Sequence, residues 1–137
     1  MSTDNLPKIY TDGSCLKNPG GAGGWACLVL ENGEMWSVVG SEPSTTNNRM
    51  ELQAIIQALK FAQGNEYVVY TDSKWALKCA TGEWQRKANL DLWKDYEISL
   101  RGRKIHYVWV RGHNGDEYNE IVDDLARAEA KSVKKIK

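Results

Sequence analysis

The amino-acid sequence predicts an α/β fold, in which a five-stranded mixed sheet of an antiparallel meander plus parallel strands is flanked by helices. Three observations predict it. Three β-prone segments come first, helical segments then alternate with two further β-prone segments, and the later connections are long enough to bring the chain back as parallel strands. Because the chain has 137 residues, we expect one domain over residues 1–131 and a basic tail over 132–137 that frays.

The meander is predicted from three short segments. Residues 8–11 are β-prone and end at the turn signal Asp12-Gly13, so Asp12 is expected at the carboxyl end of a strand. Residues 25–30 and 35–39 form the next two strands, and Asn32-Gly33 between them is typical of a type I′ hairpin turn. Glycines after the first strand predict a flexible loop; they are Gly20, Gly21, Gly23 and Gly24.

A helix and a buried strand follow the meander. Thr45 or Thr46 can cap the helix, and Glu51 is expected in its first turn, beside the apolar stripe. That stripe consists of Leu52, Ile55, Ile56 and Leu59. Residues 67–70 are apolar or aromatic, which is typical of a strand covered on both faces, and Asp72 follows where that strand should end.

The remaining segments predict helices at residues 73–80 and 91–100, a strand at 105–110 and a last helix at 117–131. Gly82 interrupts the first of these helices, and residues 112–115 have the composition of a loop. Asp123 lies beside the apolar face of the last helix. Ligand sites on such sheets lie outside the carboxyl ends of the strands, where Asp12 and Asp72 are expected.

Composition limits the classes of function. Eighteen Lys and Arg balance eighteen Asp and Glu, so any affinity for phosphate must be local. The three cysteines are an odd number without an apolar leader, which predicts reduced thiols and a cytoplasmic protein. No apolar run approaches the roughly 18 residues that a membrane helix needs, so no membrane partner is expected.

Four acidic residues are the candidates for chemistry: Asp12, Glu51, Asp72 and Asp123. Carboxylates brought close together repel one another unless protons or cations neutralise them, and oxygen-only ligands favour Mg²⁺ or Mn²⁺ over zinc. Two such ions can support phosphodiester hydrolysis. Each residue alone also fits an ordinary cap or helix-dipole role, and Asp124 is as acidic as Asp123, so it is their combined placement that predicts a nuclease site.

Five ordered strings extend this interpretation over nearly the whole chain. They are YTDGSCLKNPG at residues 10–20, TNNRMEL at 46–52, TDS at 71–73, WVRGHNG at 109–115 and NEIVDDLA at 119–126. Through them the chain resembles the bacterial type 1 ribonucleases H. The resemblance implies the ribonuclease H fold and endonucleolytic cleavage of the RNA strand of RNA–DNA hybrids, leaving 5′-phosphate and 3′-hydroxyl ends.

The resemblance also implies roles for residues. Asp12, Glu51, Asp72 and Asp123, rather than Asp124, match the ligands of two metal ions, Mg²⁺ with Mn²⁺ as a substitute, that bind with substrate. His113 matches a loop histidine that assists proton transfer or product departure. Other positions match or adjoin contacts to the substrate. Those near ribose 2′-hydroxyls are Gly13, Ser14, Asn18, Asn47 and Asn48, and those of a DNA-strand phosphate pocket are Thr46, Arg49 and Asn89.

The chain departs from the family in one segment. Many members carry a basic, Trp-bearing insertion that grips the hybrid, whereas only residues 85–92 separate Trp84 from Trp93 here. We therefore expect modest affinity and a shallow salt dependence, with Arg86, Lys87, Trp84, Lys74 or the tail lysines as partial substitutes.

Three other functions share these features: a DNA-cutting resolvase or integrase core, a non-catalytic hybrid-binding module and a detached reverse-transcriptase domain. The Asn47-Asn48 pair favours a hybrid substrate over DNA, and intact carboxylates argue against a module that only binds. The short lead before the first strand favours a stand-alone enzyme. We expect a monomer that needs no protein partner.

Overall fold

The computed structural model describes residues 5–111 and 116–134. Within those ranges the chain forms five strands and four helices. In chain order they are β1 (Lys8–Cys15), β2 (Gly23–Glu31), β3 (Glu34–Glu42), α1 (Asn47–Phe61), β4 (Glu66–Thr71), α2 (Lys74–Ala80), α3 (Leu90–Leu100), β5 (Lys104–Trp109) and α4 (Glu117–Lys134). No helix in these ranges combines the length and the hydropathy needed to cross a bilayer.

The sheet has the strand order β3-β2-β1-β4-β5. The pairs β1–β2 and β2–β3 are antiparallel, whereas β1–β4 and β4–β5 are parallel, which confirms the predicted mixed sheet. Asn32 and Gly33 have φ angles of 54° and 76°, as the predicted type I′ turn requires. The meander therefore places β1 at the centre of the sheet, with the parallel strands on its other side.

Both faces of the sheet are covered, which explains why its inner strands are apolar at successive positions. On β1, Ile9 packs into the core that α1 and α3 share. The next residue, Tyr10, points to the opposite face, where it packs with Val122 and Ala126 of α4. The helices thus form one layer on each side of the sheet.

Two predicted boundaries near β1 are wrong. Asp12 does not end the strand: β1 continues to Cys15, because Asp12 pairs with Ala26 and Gly13 with Trp25 on β2. Gly23 and Gly24 belong to β2 rather than to a flexible loop. A Cβ atom at Gly24 would lie 2.2 Å from the carbonyl oxygen of Ala126, so glycine here lets α4 approach the sheet closely.

The helices differ from the prediction at their ends. Thr46 caps α1, and its side chain accepts a hydrogen bond from the N–H of Arg49. Because α1 begins at Asn47, Glu51 is in the second turn, not the first. The helix predicted at 73–80 is α2, which begins at Lys74 with Ser73 as its N-cap, and α4 runs to Lys134 rather than ending at Lys131. The three cysteines are free thiols, as predicted.

Arg86 joins α2 to α3. Its Nε and one terminal nitrogen donate to the carbonyls of Cys79 and Ala80 at 2.9 and 3.2 Å, and its other terminal nitrogen pairs with Glu97 at 2.7 Å. The guanidinium also lies 4.4 Å from the centroid of the Trp93 ring. Since these contacts occupy the guanidinium, the structure does not support Arg86 as a substitute for the missing basic insertion.

We expect Arg86→Ala to lower the free energy of unfolding by roughly 2–3 kcal/mol, because it removes charge-assisted hydrogen bonds and a cation–π contact together. Urea unfolding of the variant measures this loss. Lys87→Ala is the matched control, since Lys87 is an exposed neighbour and its loss should change stability by less than about 0.5 kcal/mol. Equal stabilities for the two variants would contradict the structural role of Arg86.

Candidate active site

Asp12 and Asp72 come together because their strands are parallel neighbours. Thr11 of β1 is in register with Thr71 of β4, so the two aspartates each follow one member of this pair. Asp12 is buried, with 3% of its surface exposed, and Asp72 is half-buried at the carboxyl end of β4. The sheet itself therefore fixes the separation of these two carboxylates.

Glu51 joins them from α1 through Gly13. The backbone N–H of Gly13 donates to Oδ1 of Asp12 at 2.9 Å and to Oε1 of Glu51 at 3.0 Å. This close approach of β1 and α1 requires glycine, because a Cβ atom at position 13 would lie 2.3 Å from the backbone nitrogen of Glu51. One carboxylate oxygen from each of Asp12, Glu51 and Asp72 then lies within 4.8 Å of the others.

Asp123 approaches the same cluster from α4. Burial is the main cause of the raised pKa values of Asp12 and Asp72; a side-chain hydrogen bond with Asp123 adds to the effect on Asp12, and the charge of Asp123 adds to the effect on Asp72. The side chain of Asp123 is 16% exposed and pairs with Arg127, one turn later, at 2.8 Å. The side chain of Asp124 is 74% exposed and also contacts Arg127, at 3.1 Å. Burial therefore favours Asp123 over Asp124 as the fourth acidic residue of the site.

The electrostatics of the cluster follow from this crowding. Burial, followed by the charge of Asp72, raises the pKa of Asp12 from 3.8 to about 8. Burial raises the pKa of Glu51 well above its ordinary value, and the charge of Asp12 adds to the effect. Burial is also the main cause of the raised pKa of Asp72. The cluster thus resists full ionisation at neutral pH unless a cation compensates its charge.

These features fit a hard divalent cation. The three grouped side chains offer oxygen atoms alone, which are the ligands that Mg²⁺ and Mn²⁺ prefer. The raised pKa values show a site that gains stability when positive charge enters it. The arrangement is therefore an acidic cluster that can hold a divalent metal ion.

His113, the predicted proton-transfer residue, belongs to residues 112–115, which are outside the described residues. The residues predicted to contact 2′-hydroxyls are all described. Oδ1 of Asn18 accepts a hydrogen bond from the N–H of Asn47 at 3.0 Å, which ties the β1–β2 loop to the start of α1. Ser14 is half-buried on β1, and Asn48 is exposed on α1. Most of the residues expected near 2′-hydroxyls therefore surround the start of α1.

The three residues predicted for a phosphate pocket also lie close together. Nη1 of Arg49 donates to Oδ1 of Asn89 at 3.1 Å, although these residues are 40 positions apart. Thr46 is at the same end of α1, where its hydroxyl accepts from the N–H of Arg49 at 3.2 Å. Sequence reasoning missed Asp91, which pairs with Arg49 at 2.8 Å. Its hydrogen bond with Arg49 lowers the pKa of Asp91 to about 2.

Two further residues at the site were not predicted. The indole N–H of Trp109 donates to the backbone carbonyl of Asp72 at 3.2 Å. Arg127 could have been found from its spacing, because residues four apart on a helix are neighbours and Arg127 follows Asp123 by four. Asp91 and Trp109 gave no such signal, since each is far in the sequence from the residue that it contacts.

Comparison with known proteins places these residues in a family. The family model for RNase H matches residues 5–131. The chain belongs to the ribonuclease H family. A ribonuclease H from Neorickettsia sennetsu is 41% identical over 140 residues, covering 90% of this chain and 92% of that protein. The chain is thus a ribonuclease H, and the resemblance that the sequence strings predicted is confirmed.

Solved structures agree with this fold. LC9-RNase H1, a type 1 RNase H with the type 2 active-site motif, is 33% identical with a TM-score of 0.78, covering 93% of this chain and 72% of that one. LC11-RNase H1, solved in complex with an RNA/DNA hybrid, has a TM-score of 0.78 at 22% identity. The match covers 92% of this chain and 97% of the LC11-RNase H1 chain. The mixed sheet and its helical layers are those of other ribonucleases H.

Proposed function

We propose that this ribonuclease H cleaves the RNA strand of RNA–DNA hybrids endonucleolytically, leaving 5′-phosphate and 3′-hydroxyl ends. The observation that carries the proposal is the close grouping of carboxylate oxygens from Asp12, Glu51 and Asp72, with Asp123 beside them. A polyanionic substrate is repelled by such a cluster, so its presence at a nucleic-acid site is explained by cations that bind there with the substrate.

These four carboxylates would hold two divalent ions, Mg²⁺ or Mn²⁺, in the complex with substrate. When bound, the ions would activate the attacking water and stabilise the leaving oxygen of an in-line displacement. Contacts within the protein hold these carboxylates in place. The N–H of Gly13 orients one oxygen each of Asp12 and Glu51, and Arg127 orients Asp123 from the next turn of α4. His113 would move a proton or help the product to leave.

The proposed substrate contacts divide into two groups. Gly13, Ser14, Asn18, Asn47 and Asn48 lie along β1, the loop after it and the start of α1, where small polar groups can contact the 2′-hydroxyls that distinguish RNA from DNA. Thr46, Arg49 and Asn89 would form the pocket for a phosphate of the DNA strand, in which Arg49, whose guanidinium already pairs with Asp91, would hold Asn89 in place. The side-chain oxygen of Asn89 accepts a hydrogen bond from Arg49, so the side-chain NH₂ group of Asn89 is the part that can donate to phosphate.

Cleavage of matched substrates tests the proposal. With Mg²⁺ or Mn²⁺, we expect cleavage of an end-labelled RNA–DNA hybrid to be faster than that of RNA or DNA duplexes of the same sequence by about 10²-fold or more. A DNA duplex lacks the 2′-hydroxyls, and an RNA duplex lacks the deoxyribose strand and the groove shape of the hybrid. Gel analysis of the ends should show 5′-phosphate and 3′-hydroxyl groups. Preferential cleavage of the DNA duplex would instead assign a DNA-cutting role, and binding without scission in both metals would assign a binding module.

A further inference from the structure

An exposed tryptophan lies beside the carboxylate cluster. Trp109 is the last residue of β5, and 40% of its surface is exposed, although large aromatic side chains are usually buried. Its backbone register with Thr71 and the hydrogen bond from its indole N–H to the Asp72 carbonyl, at 3.2 Å, hold it against the end of β4. The ring is therefore a surface held next to a predicted catalytic residue and open to solvent at the edge of the sheet where Asp72 lies.

Lys74 lies over this ring. It is the first residue of α2, two positions after Asp72, and its Nζ is 4.6 Å from the centroid of the Trp109 ring. A cation held over an indole face is stabilised by the ring quadrupole, and the contact restricts a side chain that would otherwise be mobile. The ammonium is thus ordered at the rim of the acidic site while it remains exposed to solvent.

Lys74 differs from two other basic residues near the site, because each of those is paired with a carboxylate. Arg127 pairs with Asp123 and Asp124, and Arg49 pairs with Asp91. Within the described ranges Lys74 forms no ion pair, and its side chain is exposed, so the N–H donors that do not face the indole ring can reach a phosphate beside the site. A strand that brings a phosphate to Asp72 also brings the flanking phosphates close to the rim, where this ammonium can offset the repulsion from the carboxylates.

We propose that Lys74, held on the face of Trp109, binds a phosphate of the cleaved strand next to the scissile bond. The inference rests on the proposed cleavage of hybrids and adds to it a contact that replaces part of the missing basic insertion. A lysine contact to phosphate is independent of base sequence and adds about one to the number of counterions released on binding.

Salt-dependent binding tests this contact. We expect Lys74→Gln to weaken hybrid binding by about 3–10-fold near physiological salt and to make the slope of log K against log salt shallower by about 1. Binding is measured by fluorescence anisotropy with Mg²⁺ in an Asp12→Asn background, where the hybrid stays intact. Lys104→Gln is the matched control, because Lys104 is an exposed lysine at the opposite end of β5 and carries the same charge. An equal loss in both variants would show an effect of net charge alone and would overturn the proposal.

Two further measurements locate the contact. Trp109→Leu should lower hybrid affinity as much as Lys74→Gln does, and the double variant should lose no more affinity than either single variant, because the ring and the ammonium act together.

A series of hybrids tests the position of the contact, each with one uncharged methylphosphonate in the RNA strand. At one position the methylphosphonate should weaken binding to the protein that retains Lys74 but not to Lys74→Gln. Additive losses, or no such position, would refute the contact. If the protein without these substitutions fails to cleave any hybrid, the proposed function fails instead, so the two failures are distinguishable.

Discussion

Asp12→Asn is expected to lower hybrid cleavage by about 10³-fold or more while leaving the protein folded, because it removes a charged ligand from the centre of the carboxylate cluster. Asp12 contributes one of the three oxygens that lie within 4.8 Å of one another, and the Gly13 N–H that orients it also orients Glu51. Single-turnover cleavage of a labelled hybrid, at saturating enzyme, measures the change without a contribution from product release.

The same substitution should stabilise the metal-free protein, and the gain in its free energy of unfolding should increase as pH rises. Burial raises the pKa of Asp12 in the folded state from 3.8 to about 8. Because the folded state binds the proton more tightly, this residue lowers stability progressively as pH rises from about 4 to 8, and the penalty is complete above that range. Asparagine carries no such penalty. In EDTA we expect the variant to match the unchanged protein near pH 4 and to exceed it by roughly 1–3 kcal/mol at pH 8.

Asp124→Asn is the matched control for both measurements. It removes an equal charge from the same acidic region, but its side chain is 74% exposed and contacts Arg127 at the surface. We expect cleavage within about 3-fold of the unchanged protein and a stability change of less than about 0.5 kcal/mol at either pH. Undiminished cleavage by Asp12→Asn, or a loss as large in Asp124→Asn, would remove the cluster from the catalytic role proposed for it.

The sequence predicted those parts of the fold that depend on local signals. Asn32 and Gly33 have the positive φ angles that a type I′ turn needs. The hydroxyl of Thr46 accepts a hydrogen bond from the N–H of Arg49, which has no partner within α1. The grouping of Asp12 and Asp72 could also be predicted, because β1 and β4 are parallel neighbours and Thr11 is in register with Thr71, although β1 continues past Asp12. The order of the elements was therefore sufficient to predict which edge of the sheet holds the acidic residues.

Tertiary contacts decided the rest. The Asp12-Gly13 dipeptide has the composition of a turn, yet pairing with Ala26 and Trp25 keeps it in β1. Asp91 meets Arg49 across 42 positions, so no local pattern indicated the pair. Arg86 was assigned to the substrate because it is basic, whereas its contacts with backbone carbonyls and Trp93 show a packing role. The charge and spacing of residues in a sequence indicate possible chemistry, but they do not show whether another residue of the fold already pairs with the charged group.

Gly13→Ala is expected to have the largest effect on stability, a loss of roughly 3 kcal/mol or more, together with a fall in cleavage of about 10²-fold in the molecules that remain folded. The added Cβ would lie 2.3 Å from the backbone nitrogen of Glu51 and from the carbonyl carbon of Met50. Because these are main-chain atoms of α1, rotation of a side chain cannot relieve the contact, and the helix must move away from β1. Glu51 would then move with it, away from Asp12 and Asp72.

Gly33→Ala separates this close packing from the general cost of replacing a glycine. Gly33 has a φ of 76° and no atom within 4 Å of an added Cβ, so alanine there is strained in its backbone but meets no neighbour. We expect a loss of about 1 kcal/mol and unchanged cleavage per folded molecule, since the turn lies at the end of β2 far from Asp12. Urea unfolding and single-turnover cleavage compare the two variants directly. If Gly13→Ala were no worse than Gly33→Ala in both assays, β1 and α1 would have to be less closely packed than the structure shows, and the shared N–H of Gly13 could not be what positions the two carboxylates.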